Sequence, residues 1–396
     1  MSMVSIKNGI SFFVIAFTLM ACGNSAAISG KITDANKAGA IVYLIKPESL
    51  RSVGAAYFGE VIDSAEVKAD GRFEFLRLPP SEQPVLFELA MQTNGKAANY
   101  LQTDFPSESN YMPVVWQNGE SIEISATQEA FQKSFAFTHP SPANLAMMEL
   151  KQIHQQAFST YLEGKTWDME DADQLMGKAH AIAQYREKLI EFATNTSHLL
   201  PALVAIRWVS PENDFERVPE FLVNQCHKWQ ETQPNHPWVT ELCNQSEPTH
   251  LPVLVGSVFP NLTFPMLTDD TIALNTQLGE KLTIIDLWAS WCAPCRKENR
   301  QILLPLWEAY HTQGFQIVGY ALEGNEVSWR AAAQQDGVDR WPQASDLQGD
   351  EAAFLKIIRI RTIPANFILD KNGVVLAKNI HGKALSEWVK KYMEGE

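Results

Sequence analysis

Positive charge is in short supply in this chain: 32 Lys and Arg stand against 46 Asp and Glu, a formal net charge of −14. Such a surface repels phosphate backbones, so no nucleic-acid partner is expected. There is no glycine-rich phosphate loop, no nucleophile elbow and no metal-protease helix motif. Internal repeats and low-complexity tracts are also lacking, and cysteine is sparse, at five positions. Beyond the N-terminus no hydrophobic run reaches the length of a bilayer span. At 396 residues, the chain is long enough for two or three domains, each with its own core.

The N-terminus has the pattern of an export signal. Lys7 gives a small basic region, Ile10 to Met20 an apolar core, and "LMAC" follows at 19 to 22. "LMAC" resembles the bacterial lipobox, which implies cleavage after residue 21, lipid attachment at Cys22 and a tether over 22–27. The expected location is the cell envelope, on the periplasmic side, with the membrane reached through the lipid anchor.

Three regions follow. Over 28–126 the pattern alternates with a period of two and is broken by turns, at Asp70-Gly71 in "SAEVKADGRFEF" and at Asn118-Gly119 in "QNGESIEIS". Both are hairpin signals, and a small antiparallel β domain is expected. After "THPSPAN" the period becomes helical, with Leu175, Ala179, Ile182, Leu189 and Ala193 on one face. A helical middle region over 143–245 is expected, with helices near 143–164, 170–194, 198–209 and 214–232 and a short one after Pro237. The last region, 258–396, alternates strands and helices: strands at "KLTIIDLWA" and "FQIVGYAL", helices over 294–312, 326–336 and 384–393, and a hairpin at Asn372-Gly373. That alternation predicts an α/β layer fold.

Cys292 and Cys295 sit in "SWCAPC", directly after the strand and at the start of the first helix of this region. A cysteine there meets unpaired backbone N–H groups and the positive helix end, which favour thiolate over thiol. Cys295, one turn on, is placed to attack a mixed disulfide on Cys292. Pro294 fits a first turn that needs no N–H donor. A zinc site would need two further ligands at suitable spacing. A structural staple closing a two-residue loop would contribute little. Redox exchange is the chemistry the spacing favours.

"IIDLWASWCAPCRKE", followed by "IRTIPANFILDKNG", resembles the TlpA/ResA-like branch of the thioredoxin superfamily over about 258–396. The β region more weakly resembles small domains preceding such modules in some bacterial lipoproteins. The resemblance implies a multidomain protein with a C-terminal α/β thioredoxin fold and a redox-active Cys292–Cys295 disulfide, without a metal or other cofactor. It makes Pro364 the cis-proline facing the disulfide, with Ile363 presenting backbone groups to a substrate strand. Trp291 and Pro294 complete the substrate face, while Trp288 could equally be core. Asp286 matches a buried acid that takes the proton of the second cysteine, and Glu298 an acid found in this branch. One departure concerns the proline common five residues after the second cysteine: here that position is Arg300, and a proline comes at Pro305.

Cys226 and Cys243 are expected to form a structural disulfide, with a second redox pair or two free buried thiols as the alternatives, and nearby His227, His236 and His250 to be surface residues without a metal. The resemblance favours a reductant of disulfides in exported proteins, recharged by a membrane electron-transfer protein of the DsbD/CcdA type and possible in cytochrome c maturation. A binding or scaffold lipoprotein with an accessory redox module, and a thiol peroxidase, are the alternatives.

Overall fold

The computed structural model describes residues 26–34, 39–92, 95–168, 171–268 and 270–395. The leader over 1–21 and Cys22 lie outside the described residues. Among the described residues no helix is long and apolar enough to cross a membrane.

The strands of the first half are β1 (Ile28–Thr33), β2 (Ile41–Lys46), β3 (Glu60–Glu66), β4 (Arg72–Phe75), β5 (Val85–Gln92), β6 (Tyr111–Trp116), β7 (Ile122–Thr127) and β8 (Ala136–Phe137). They form two four-stranded sheets, ordered β4-β1-β7-β8 and β3-β2-β5-β6. Strand β7 shows the alternation of a half-buried strand, with Ile122, Ile124 and Ala126 inward and Glu123 and Ser125 outward. Strand β6 is buried along its whole length.

Two sequence expectations need correction here. The β region is not purely antiparallel: β1 and β7 run parallel, with Ile28 opposite Ile122 and Thr33 opposite Thr127. Such a pair needs a long crossover, and strands β2 to β6 occupy it. Nor do the two turns make hairpins. Gly71 does close a tight turn, donating its N–H to the Lys68 carbonyl at 2.8 Å. Its φ is +83°, and a Cβ there would come within 2.3 Å of the Ile32 carbonyl oxygen, so only glycine fits. Yet β3 pairs with β2 and β4 with β1, in different sheets. Asn118-Gly119 likewise carries the chain from β6 to β7, across sheets. Alternation gives each strand an inward face, but a hairpin and a corner between stacked sheets satisfy it equally.

The helices are α1 (Phe131–Ser134), α2 (Pro142–Tyr161), α3 (Ala172–Asn195), α4 (Leu199–Val209), α5 (Pro219–Thr232) and α6 (Pro237–Gln245). Every residue of α4 is buried, the mark of a helix surrounded by protein. Asn144 of α2 covers the open edge of β6, exchanging hydrogen bonds with the N–H and C=O of Val115, both at 2.8 Å. One hydrophobic core runs through strands and helices alike, from Ile28 to Leu251. The boundary expected between 126 and 143 therefore does not separate two cores. On α3, the expected apolar face is buried at Leu189 and Ala193, whereas Ala179 is exposed.

The second core belongs to the C-terminal region. Its elements are β9 (Thr263–Pro265), β10 (Thr271–Ala273), β11 (Leu282–Trp288), α7 (Ala293–Glu298), α8 (Leu304–Tyr310), β12 (Phe315–Ala321), α9 (Glu326–Asp336), β13 (Gln343–Ala344), α10 (Ala353–Ile358), β14 (Ala365–Asp370), β15 (Val375–Lys378) and α11 (Gly382–Glu394). The five-stranded sheet has the order β13-β12-β11-β14-β15. Strands β11, β12 and β13 are parallel, while β14 and β15 run antiparallel to their neighbours. Strand β11 is buried at all its positions, as its unbroken apolar run suggests for a central strand. The Asn372-Gly373 turn does make a hairpin, with the Asp370 carboxylate accepting the N–H groups of Asn372 and Val374 at 2.8 Å. The β9-β10 pair and α10 have no counterpart among the elements expected from sequence.

The helix expected over 294–312 is interrupted by a π segment, Asn299–Leu303, just before Pro305. Proline has no N–H and crowds the carbonyl four residues back, and a locally widened turn relieves both. The interruption thus sits where this chain carries its proline.

The two cores meet through polar contacts. Lys378 Nζ lies 2.7 Å from the Glu220 carboxylate, which also accepts the Val255 N–H at 3.0 Å. Asp173 on α3 pairs with Lys297 on α7.

Candidate active site

The end of β11 delivers the chain to the cysteine pair. Buried Trp288 is pinned there by its indole N–H donating to Gln343 Oε1 at 3.0 Å. Ser290 donates its N–H to the buried Glu323 carboxylate. Cys292 is the N-cap of α7, and Cys295 donates its N–H to Cys292 Sγ at 3.3 Å. The two sulfurs form a disulfide. Both cysteines are buried, whereas Trp291 beside them is 63% exposed, leaving an apolar ring at the rim. Pro294 is half-buried in the first turn of α7.

Both acids expected at the site are buried. Asp286 is buried on β11, and its carboxyl is raised well above the usual carboxylate range, first by burial and then by the negative charge of Glu298. Glu298 is buried too, not solvated, and both its oxygens are engaged. One lies 2.8 Å from His381 Nδ1, and the other accepts the Gly382 N–H at 2.8 Å, at the start of α11. Burial thus lets the Asp286 carboxyl keep its proton to higher pH than an exposed carboxyl does.

The proline expected at the site lies in the loop 361–364, just before β14. Its Ile363–Pro364 peptide is cis, and both residues are half-buried. The segment between α4 and α5 holds this loop from the other core. Arg217 donates to the carbonyls of Thr362 and Pro364 at 3.1 and 3.2 Å, to Thr362 Oγ1 at 2.7 Å and to Asn379 Oδ1 at 3.0 Å. Glu216 accepts the N–H groups of Arg361 and Thr362 at 3.0 and 3.2 Å. Arg361 also pairs with Asp214 at 2.8 Å.

Arg300 and Arg296 converge on Asp336, whose side chain is fully buried at the end of α9. The charge of Arg300 is therefore paired within the fold. None of Arg217, Glu216, Glu323, Asp336 and His381 carries a sequence motif. Each acts on a residue at least 33 positions away, so no local spacing could have marked them.

Elsewhere, Cys226 and Cys243 form a disulfide joining α5 to α6. His227 and His250 are exposed, and half-buried His236 caps α6 by accepting the Trp238 N–H. Among the described residues, no group of three or more His, Cys, Asp and Glu is arranged to hold a metal.

A disulfide between cysteines three residues apart, whose first member caps a helix that directly follows a buried strand, defines a thiol–disulfide exchange module. The AhpC/TSA family model matches residues 255–378. The thiol-disulfide oxidoreductase ResA of Bacillus thuringiensis subsp. konkukian is 25% identical over 140 residues, covering 35% of this chain and 77% of that protein. The sporulation thiol-disulfide oxidoreductase A of Bacillus subtilis is 28% identical over 118 residues, covering 29% and 68%. Among solved structures, a thiol-disulfide oxidoreductase from Bacteroides fragilis is 26% identical, with a TM-score of 0.32, covering 34% of this chain and 98% of that one. Over its C-terminal region the chain is similar to ResA-type thiol-disulfide oxidoreductases, and the protein is a thiol–disulfide oxidoreductase.

Proposed function

We propose that this protein is an exported, lipid-tethered reductant of disulfides in other exported proteins. The observation that carries this reading is a disulfide whose first cysteine caps a helix, with the buried Asp286 carboxyl six residues earlier on the preceding strand. In the reduced enzyme, the Cys292 thiolate attacks one sulfur of the substrate disulfide. A Cys292–substrate disulfide forms, and the other substrate sulfur leaves as a thiolate. Asp286 takes the Cys295 proton, and the Cys295 thiolate attacks Cys292 Sγ. The substrate leaves as a dithiol, two electrons richer, and the enzyme holds the Cys292–Cys295 disulfide.

Export and the anchor rest on the leader and on Cys22. A membrane electron-transfer protein of the DsbD/CcdA type is the proposed donor that reduces the disulfide again. The resemblance to the TlpA/ResA-like branch makes cytochrome c maturation one destination for the electrons. A thiol peroxidase is the second reading, favoured by the AhpC/TSA family description, and peroxide consumption by the reduced protein would support it.

The test is the reduction potential of the soluble protein starting at Gly23, measured in graded thiol–disulfide buffers. A value near that of thioredoxin, about −270 mV, supports the reductant. A value near about −120 mV would make it an oxidant and overturn the direction. In the same protein, Cys295→Ser should trap a mixed disulfide on Cys292, visible as a mass increase equal to the substrate.

A further inference from the structure

We propose that Arg217, with Glu216, is a positioning residue for the peptide-receiving loop, so that the N-terminal unit sets how a substrate chain docks beside the disulfide. This deepens the oxidoreductase reading above and rests on it.

The backbone groups of the loop are divided in a particular way. The N–H groups of Arg361 and Thr362 are taken by Glu216, and the carbonyls of Thr362 and Pro364 by Arg217. Among the described residues, the N–H and C=O of Ile363 take no hydrogen bond. An added strand needs one donor and one acceptor from the same residue to register itself. Within the loop 361–364 the flanking groups are occupied, and Ile363 alone keeps both its N–H and its C=O open for a substrate backbone.

The fork of Arg217 also fixes where that residue points. One terminal nitrogen reaches Asn379, next to the end of β15, and the other reaches Thr362 and Pro364, so the guanidinium ties the loop to the sheet. The loop is gripped by Glu216 on its N–H side and by Arg217 on its C=O side. A second contact falls on the cysteine helix, where Asp173 of the same unit pairs with Lys297, two residues after Cys295. The N-terminal unit therefore contacts both the proline loop and the helix that carries the cysteines. The ligand class this favours is an extended polypeptide segment carrying the disulfide, since only a backbone uses the Ile363 pair.

The experiment compares two disulfides with the reduced full-length soluble protein in single turnover. One is a disulfide-linked dimer of unstructured ten-residue peptides, and the other is 5,5′-dithiobis(2-nitrobenzoate), which has no backbone to pair. Arg217→Ala should raise the half-saturating peptide concentration about tenfold, the scale expected on losing charge-assisted hydrogen bonds. The limiting rate, the rate with the aromatic disulfide and the reduction potential should stay within about twofold of wild type. Arg217→Lys, which keeps the charge without the fork, should fall between the two. Glu216→Gln should show the same split if Arg217→Ala does not fold.

Equal losses on both disulfides, or no loss on the peptide, would overturn the positioning role and leave the oxidoreductase reading intact. Failure of the wild type to reduce either disulfide would overturn both.

Discussion

His381 Nδ1 lies 2.8 Å from a Glu298 carboxylate oxygen, tying the helix that follows the cysteines to the start of the last helix. With its other oxygen on the Gly382 N–H, Glu298 acts as a fixed negative charge near Asp286. The two acids named from sequence thereby acquire different parts. One is held by hydrogen bonds, and the other is pushed up in pKa by burial and by the first.

Asp286→Asn is expected to slow release of substrate from the Cys292 mixed disulfide by about a hundredfold, the loss of one proton acceptor. Rapid-mixing kinetics read this directly. Glu298→Gln removes the charge that raises Asp286, so the pH at which release accelerates should move downward. An unchanged pH midpoint would show that the two carboxyls do not interact.

Stability should respond to Asp286 in the opposite sense to activity. Its folded pKa is raised, so the native state keeps a proton that the unfolded chain loses near about pH 3.9. Stability due to this group falls as pH rises from there through the folded pKa. Asp286→Asn should therefore raise Tm relative to wild type, and by more at pH 8 than at pH 4.

Glu88 makes a second, independent pH prediction in the N-terminal unit. Fully buried, it is raised to about 8 by desolvation, against the lowering effects of the Gly54 N–H and of Arg207. Its Oε2 has no hydrogen-bond partner among the described residues, so ionising it is costly. The folded state holds this proton up to about pH 8. Unfolding should become easier by about 1.4 kcal/mol per pH unit between the unfolded and folded pKa values. Glu88→Gln should flatten the denaturant midpoint between pH 6 and pH 8, while thiol exchange continues.

The Cys226–Cys243 bridge closes a loop of 17 residues. Replacing both cysteines by alanine should cost about 3 kcal/mol by the loop-entropy relation, measured by urea unfolding. The reduction potential of Cys292 and Cys295 should not change, because the bridge lies in the other core.

The linear pattern determined what depends on near neighbours. The apolar run 282–288, the proline-tolerant first turn and the three-residue cysteine spacing are local, and each follows from backbone geometry alone. The helices of the middle region were legible for the same reason, because a helical face repeats within a few residues. What the pattern left open was which surfaces meet. Strand β7 has the same alternation whether it pairs with β6 or, as it does, with β1. Arg217 reads as one more charge at the start of an expected helix until folding brings it to Thr362 and Pro364, more than a hundred positions on. Sequence fixes the chemistry a residue can offer, and only burial and docking decide which group receives it, because those contacts depend on the packing of whole units.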